Sequence, residues 1–282
     1  MWPRTRNGEK KHRQRKRILE IKIIVDSIRR LPRGDSKFNV KTKILEFGAG
    51  EGFQVPYLQD LGQVIVSDIY MSENMKAHYQ SSFVKCSICA TPFDSNTFDL
   101  IFSNHVIVYI EDLNRAFDEM KRIGKVDCIY AFSVPTEWWV VLSIPAHYYN
   151  VFMSVLRKIF RRPISNAACS TNALEKQKFD VNTNNRRNKK QSIVKILNFI
   201  LPSGLGCYPS FCKAFWCFRV KAWRTLFEVN GFRILRIEPL LLYAPSEWPI
   251  VPTMRLPARY GWCSSVLFLM KRAIERKEVG KL

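Results

Sequence analysis

Between residues 43 and 135, short apolar runs alternate with amphipathic ones, and this pattern constrains the chain more than any other feature. "KILEFG", "QVIVSDI", "SFVKCSI", "TFDLIFSNHV" and "DCIYAFSVP" read as strands. "EGFQVPYLQDLG", "SENMKAHYQ" and "DLNRAFDEMKRIG" read as helices between them. Gly62 closes the first helix, Ser72 is placed to cap the second and Gly124 ends the third. Strands this uniformly apolar need cover on both faces, so the alternation predicts a doubly wound α/β sheet, mostly parallel. A helix, "VKAWRTLFEVNGF", and two further strands, "RILRIEPLLL" and "WCSSVLFLMKR", bring the sheet to seven strands of Rossmann-like type with helices on both faces.

The first strand runs into "FGAGEGF", with glycines at 48, 50 and 52 and an acid, Glu46, at the approach. Glycine admits a ligand to the backbone without a Cβ clash, and bare amides at a helix start favour electron-rich groups. The second strand ends in Asp68, where an acid can accept both hydroxyls of a ribose. A dinucleotide loop requires G-x-G-x-x-G, but here the third glycine comes one residue early and Phe53 fills its place. A phosphate loop requires a lysine after its last glycine, and none follows. The ligand left standing is a nucleoside without phosphates.

Taken in order, "ILEFGAGEG", "VIVSDI" and "PFDSNTFDLIFSNHVIVYIEDLNRAFDEMKRIGK" resemble the class I S-adenosylmethionine-dependent methyltransferases, most closely their small-molecule and lipid branch. The resemblance covers residues 43–135 and, more loosely, 219–271 as that fold's final helix, strand and antiparallel last strand. It implies S-adenosylmethionine as cofactor and no metal. It implies that Glu46, Gly48, Gly50 and Gly52 hold the methionine part, that Asp68 holds the ribose and that Ile69 packs on the adenine. Asn104, with His105 beside it, matches the strand-four position facing cofactor and substrate. Relatives often carry an acid before "PF"; here "KCSICATPF" offers Ser87 instead. "KRIGKVD" also replaces the family's frequent Pro-Gly-Gly turn, a structural departure.

Outside the alternating region the chain divides into a basic N-terminal helix (1–35), the cofactor-binding half (36–135), an apolar and basic insertion (136–218), the C-terminal half (219–272) and a basic tail (273–282). Residues 13–31 form an amphipathic helix, with Ile18, Ile21, Val25, Ile28 and Leu31 near one stripe and Ile24 beside it; it packs on the domain or lies on a membrane surface. Residues 138–156 carry no charge, but Pro145, His147, Asn150 and Ser154 argue for a lid or interfacial helix rather than a span. A polar, Asn-rich flexible loop follows, "STNALEKQKFDVNTNNRRNKKQ", and then an apolar stretch, 193–218.

The net charge of +21 is concentrated. Residues 1–34 hold 12 Lys/Arg against 3 Asp/Glu, residues 157–195 hold 11 against 2, and residues 271–282 hold 5 against 2, so the remainder is neutral. Such segments attract polyanions or remain as solvated tails. The start, "MWPRTRNGEKKHRQRKR", has no apolar signal core, so a cytoplasmic protein with reduced thiols is expected, touching the inner face of a membrane peripherally. Of 8 cysteines, Cys86 and Cys89 form a single CxxC, a weak zinc signal better read as structural thiols.

A sulfonium methyl needs an aligned acceptor and, where the acceptor carries a proton, a base. His105 and Tyr109 are the catalytic candidates, with His147 in the lid a third. The aromatic insertion favours a small hydrophobic or lipid-linked acceptor, methylated on oxygen by default. The charge offers an RNA substrate as alternative, against which strand four ends "SNHV" without the Asn/Asp-Pro-Pro-aromatic motif of base-amine methylation. A third alternative is a non-catalytic binding protein on the same fold. Oligomeric state is not written in the sequence.

Overall fold

The computed structural model describes residues 6–31, 38–160, 205–208, 210–243 and 254–273. The polar loop after residue 169, the basic run beyond residue 160, the first part of the apolar stretch 193–218 and the basic tail from residue 274 lie outside the described residues.

Seven strands form one open sheet: β1 (Lys43–Phe47), β2 (Gln63–Asp68), β3 (Phe83–Lys85), β4 (Phe98–Asn104), β5 (Gly124–Pro135), β6 (Phe232–Pro239) and β7 (Ser265–Arg272). The order across the sheet is β3-β2-β1-β4-β5-β7-β6. All neighbours from β3 to β5 are parallel, whereas β7 runs antiparallel to both β5 and β6. This bears out the expected mostly parallel, doubly wound architecture. Because β1 is followed by β2 on one side and has β4 on the other, the chain reverses winding direction between β1 and β4, and a crevice opens beyond their C-terminal ends.

Alternate residues of the central strands feed two separate cores. Ile44, Val66, Leu100, Phe102, Ala131 and Leu269 pack on one face, with helix α1 (Arg6–Arg29) against them. Leu45, Phe47, Ile101, Tyr130, Phe132 and Phe268 pack on the other, beneath α4 (Leu113–Ile123) and α7 (Val220–Val229). On α1, most of the expected stripe is in the core: Ile21, Ile24 and Ile28 are fully buried, Val25 and Leu31 nearly so, and Ile18 half-buried. The opposite, charged face is not all solvated, however, since Lys16, Glu20 and Ser27 are buried as well.

Helix α3 (Glu73–Tyr79) has its expected cap, the Ser72 hydroxyl accepting from the Met75 amide. The first crossover departs from expectation. Only one turn, α2 (Val55–Leu58), is helical, because the chain from Gly48 to Gln54 is spent in turns and the Leu61 amide, bonding back to Leu58, closes the segment at once. Beyond β5, α5 (Glu137–Phe160) carries Pro145 inside it and packs against α6 (Phe211–Cys217). Among the described residues no helix is long and apolar enough to cross a membrane. A short helix, α8 (Leu256–Arg259), precedes β7.

Candidate active site

A cleft of about 1250 Å³ opens at the C-terminal ends of β1, β2 and β4. Its floor is the glycine loop, tied down by the amides of Gly48 and Ala49, which both donate to the Ser67 carbonyl of β2. All three glycines have left-handed φ, between +57° and +73°, and they differ in what surrounds them. A Cβ at Gly48 would fall 2.3 Å from Val106, and one at Gly52 would fall 2.4 Å from Met75 Sδ. A Cβ at Gly50 would meet nothing within 4 Å. Two glycines are therefore demanded by packing as well as by backbone, and Gly50 alone stands over open cleft.

Asp68 closes β2 with its carboxylate at the loop: Oδ2 accepts from the Gly50 amide at 2.9 Å and Oδ1 from the Tyr70 amide at 3.1 Å. Ile69 projects beside it, 54% exposed although apolar, and lines the cleft. Cys86, Ser87, Ile88 and Cys89 form the adjoining wall. The Ser87 hydroxyl accepts from the Cys89 amide, and Arg115 Nε donates to the Cys89 carbonyl. Glu46 does not reach the cleft surface. It is buried one layer below, with neither carboxylate oxygen bonded among the described residues. Burial, reinforced by the Asp68 charge, pushes this carboxyl up to about 8.

At the other end, β4 terminates in a polar network. Asn104 donates from Nδ2 to Gln54 Oε1 at 2.7 Å, while its Oδ1 accepts from the Ser133 hydroxyl at 2.6 Å and from Arg17 at 3.2 Å. His105 follows in the left-handed region, φ 61°, an unusual conformation for a residue with a side chain. Its Nε2 lies 3.3 Å from Tyr243 Oη and 3.6 Å from Glu20 Oε1. Glu20 is wholly buried and accepts from Ser265 Oγ at 2.5 Å and from Arg17 at 2.9 Å. Burial opposes its ionisation, but the Arg17 charge, His105 and Ser265 outweigh it and hold the carboxyl below its usual range. Burial lowers the His105 pKa, and the Arg17 and Lys16 charges add to this against the pull of Glu20, so the imidazole stays neutral at physiological pH. Tyr109 lines the cleft with 57% of its surface exposed. His147, on α5, does not line it; its Nε2 is buried without a hydrogen-bond partner among the described residues.

A family model described as a methyltransferase domain matches residues 45–132, the segment that carries loop, Asp68, Asn104 and His105. These residues are a methyltransferase domain. A curated relative, phosphoethanolamine N-methyltransferase 3 of Arabidopsis thaliana, is 39% identical over 97 residues, covering 29% of this chain and 20% of that protein. The chain thus spans about a fifth of that relative's length. A chain of the solved complex of the Haloferax volcanii Trm112 methyltransferase activator matches with TM-score 0.52 at 14% identity, over 95% of both chains. A SAM-dependent methyltransferase of Aquifex aeolicus matches with TM-score 0.47 at 13% identity, over 96% of this chain and 100% of its own.

S-adenosylmethionine is the cofactor of this methyltransferase domain, and the cleft fits it. Asp68 is a carboxylate at the cleft edge for hydroxyls, Ile69 an exposed apolar side chain for a base, and Gly50 a bare backbone with space above it. Glu46, which the resemblance assigns to the methionine part, lies buried beneath the loop and off the cleft surface. Among the described residues no cluster of His, Cys, Asp and Glu is arranged for a metal, Cys86 and Cys89 included.

Lys16, Arg17, Glu20, Gln54, Trp139 and Tyr243 also line the cleft, and none is marked by a motif. The one available signal was Glu20, the first acid after a run of Lys and Arg, on the polar side of α1's amphipathic pattern.

Proposed function

We propose that the protein transfers a methyl group from S-adenosylmethionine to a hydroxyl of a small acceptor with an apolar body, free or lipid-linked. The observation that carries this reading is His105, a neutral imidazole at the tip of β4 on the cleft surface, backed by Glu20. Bound S-adenosylmethionine supplies a methyl group already activated on a sulfonium. The protein's part is to position the acceptor and take its proton. Phe53, Tyr109, Ile110, Trp139 and Leu205 give that half of the cleft an aromatic and aliphatic wall for the acceptor's body. His105 receives the hydroxyl proton, and Glu20, 3.6 Å from Nε2, offsets the charge the imidazole gains. Lipid-linked acceptors are favoured by Tyr148, Val151 and Phe152, which are exposed on α5.

The partial likeness to a protein named as a phosphoethanolamine N-methyltransferase favours an amine nitrogen as the second reading. Titration calorimetry with S-adenosylmethionine, with NADH as control, tests the common premise. Transfer of labelled methyl to matched alcohols and amines then separates oxygen from nitrogen. Absence of S-adenosylmethionine binding by folded protein refutes both readings. Flotation with acidic vesicles at low salt, weakening as salt rises, tests membrane contact.

A further inference from the structure

We propose that the exposed segment Arg255–Trp262, together with the outer row of α5, is a docking surface for an anionic lipid bilayer at the rim of the cleft. This rests on the lipid-linked reading of the acceptor and names the surface that brings such an acceptor to the site.

The segment is apolar where it meets water. Leu256, Tyr260 and Trp262 are 67%, 80% and 57% exposed. The backbone fixes them there. Ala258 is buried and anchors α8, and the Tyr260 and Trp262 amides both donate to the Pro257 carbonyl. Gly261, at φ 88°, supplies the left-handed turn between the two aromatic residues. The Trp262 ring stacks on Trp138, with centroids 5.4 Å apart. Trp138 begins a row along α5 that continues through Val141, Pro145, Tyr148 and Phe152, a length of about 21 Å at helical rise. Tyr148 and Phe152 are exposed, whereas Val140 and Ala146, off that row, are buried. Residues 138–156 carry no charge.

Two cations accompany the apolar groups. Arg255 precedes α8 and Arg259 ends it, both exposed and without an ion-pair partner among the described residues. No acid occurs in the sequence between Glu247 and Glu275. Glu137, the acid beside Trp138, has one carboxylate oxygen buried. Amphipathic rings next to cations suit a bilayer with acidic headgroups, where the rings sit at headgroup depth and each cation adds attraction. The uncharged row of α5 favours acyl chains over a nucleic acid, whose phosphates would meet only two cations here.

The surface is continuous with the cleft. Trp139 and Tyr243 line the cleft. Trp138 adjoins the first, and the paired hydrogen bonds between Leu242 and Met254 tie the second to the start of the segment. A bilayer seated on the segment therefore lies beside the acceptor end.

The test is flotation of the full-length protein with vesicles of phosphatidylcholine containing about a third phosphatidylserine. Wild type should float. Arg255→Gln combined with Arg259→Gln should weaken partitioning about 25-fold, about fivefold for each cation. Leu256→Ser combined with Trp262→Ser should weaken it about tenfold or more. Calorimetric affinity for S-adenosylhomocysteine should be unchanged in both, which shows that they are folded; if the apolar pair fails to fold, the arginine pair decides. No flotation of wild type overturns the proposal. So does flotation equal in wild type and variants, which assigns membrane binding to the basic segments elsewhere. So, too, does loss of single-stranded RNA binding in the variants with flotation intact, which makes the patch a nucleic-acid surface. Failure of S-adenosylhomocysteine to bind a wild type that floats strikes instead at the methyl-transfer reading.

Discussion

Replacing Glu46 with glutamine should make the ligand-free protein more resistant to alkaline conditions. The folded protein holds this carboxyl at about 8 against an ordinary 4.5, chiefly because the group is buried. A group whose folded pKa is raised retains its full stability below the unfolded pKa and loses it as pH rises toward the folded one. At 1.36 kcal/mol per pH unit, the wild-type penalty reaches about 3 kcal/mol at pH 7 and levels off at about 4–5 kcal/mol above pH 8. Glu46→Gln removes this titration, and the cost of burying its amide is independent of pH. Urea denaturation of both proteins from pH 5 to pH 8, without ligand, isolates the effect, because other titrating groups cancel in the difference. The stability gap should move in favour of the variant by about 3–4 kcal/mol across that range. A gap constant to within about 0.5 kcal/mol refutes a buried, protonated Glu46.

Asp68→Ala should weaken S-adenosylmethionine binding by about 1–3 kcal/mol through loss of hydrogen bonds to a charged acceptor, and an unchanged affinity in calorimetry removes Asp68 from the site. Gly48→Ala should unfold at markedly lower temperature, since its Cβ meets Val106, whereas Gly50→Ala should cost only about 1–2 kcal/mol of left-handed strain while reducing cofactor affinity. Equal melting temperatures for the two would contradict this assignment. Glu20→Ala should destabilise by about 2–3 kcal/mol, the usual cost of breaking a buried pair reduced because Arg17 is partly exposed, as measured by urea denaturation. Because His105 is held neutral when folded, with its pKa below the ordinary 6.5, it should withdraw stability as pH falls through 6.5. The His105→Gln variant should lack that component of the acid profile.

The cofactor half was legible because its signals are local. Three glycines at alternate positions, an acid ending the next strand, and apolar runs of strand length each report a backbone or burial requirement met within a few residues. Asp68 and Gly50 accordingly meet in one hydrogen bond, 2.9 Å long, and Ile69 stands exposed beside them. The first helix was overcalled because apolar spacing in "EGFQVPYLQDLG" is compatible with a helix, while the turns that the loop needs use up its first half.

Amino-acid order alone thus determined the strand sequence, the glycine loop and the acid that closes β2, because all three are written at short range. At the acceptor end the sequence marked Asn104, His105 and Tyr109, and tertiary structure decided what surrounds them. Arg17, Glu20, Asn104, His105, Tyr243 and Ser265 come from four separated parts of the chain, and Glu20 bonds to Ser265 across 245 residues. Seen in sequence, Glu20 is an ordinary acid on the polar side of an amphipathic helix. Folded, it is a buried charge that must find Arg17, Ser265 and a histidine to be tolerated, and no local rule specifies partners that only packing can bring together.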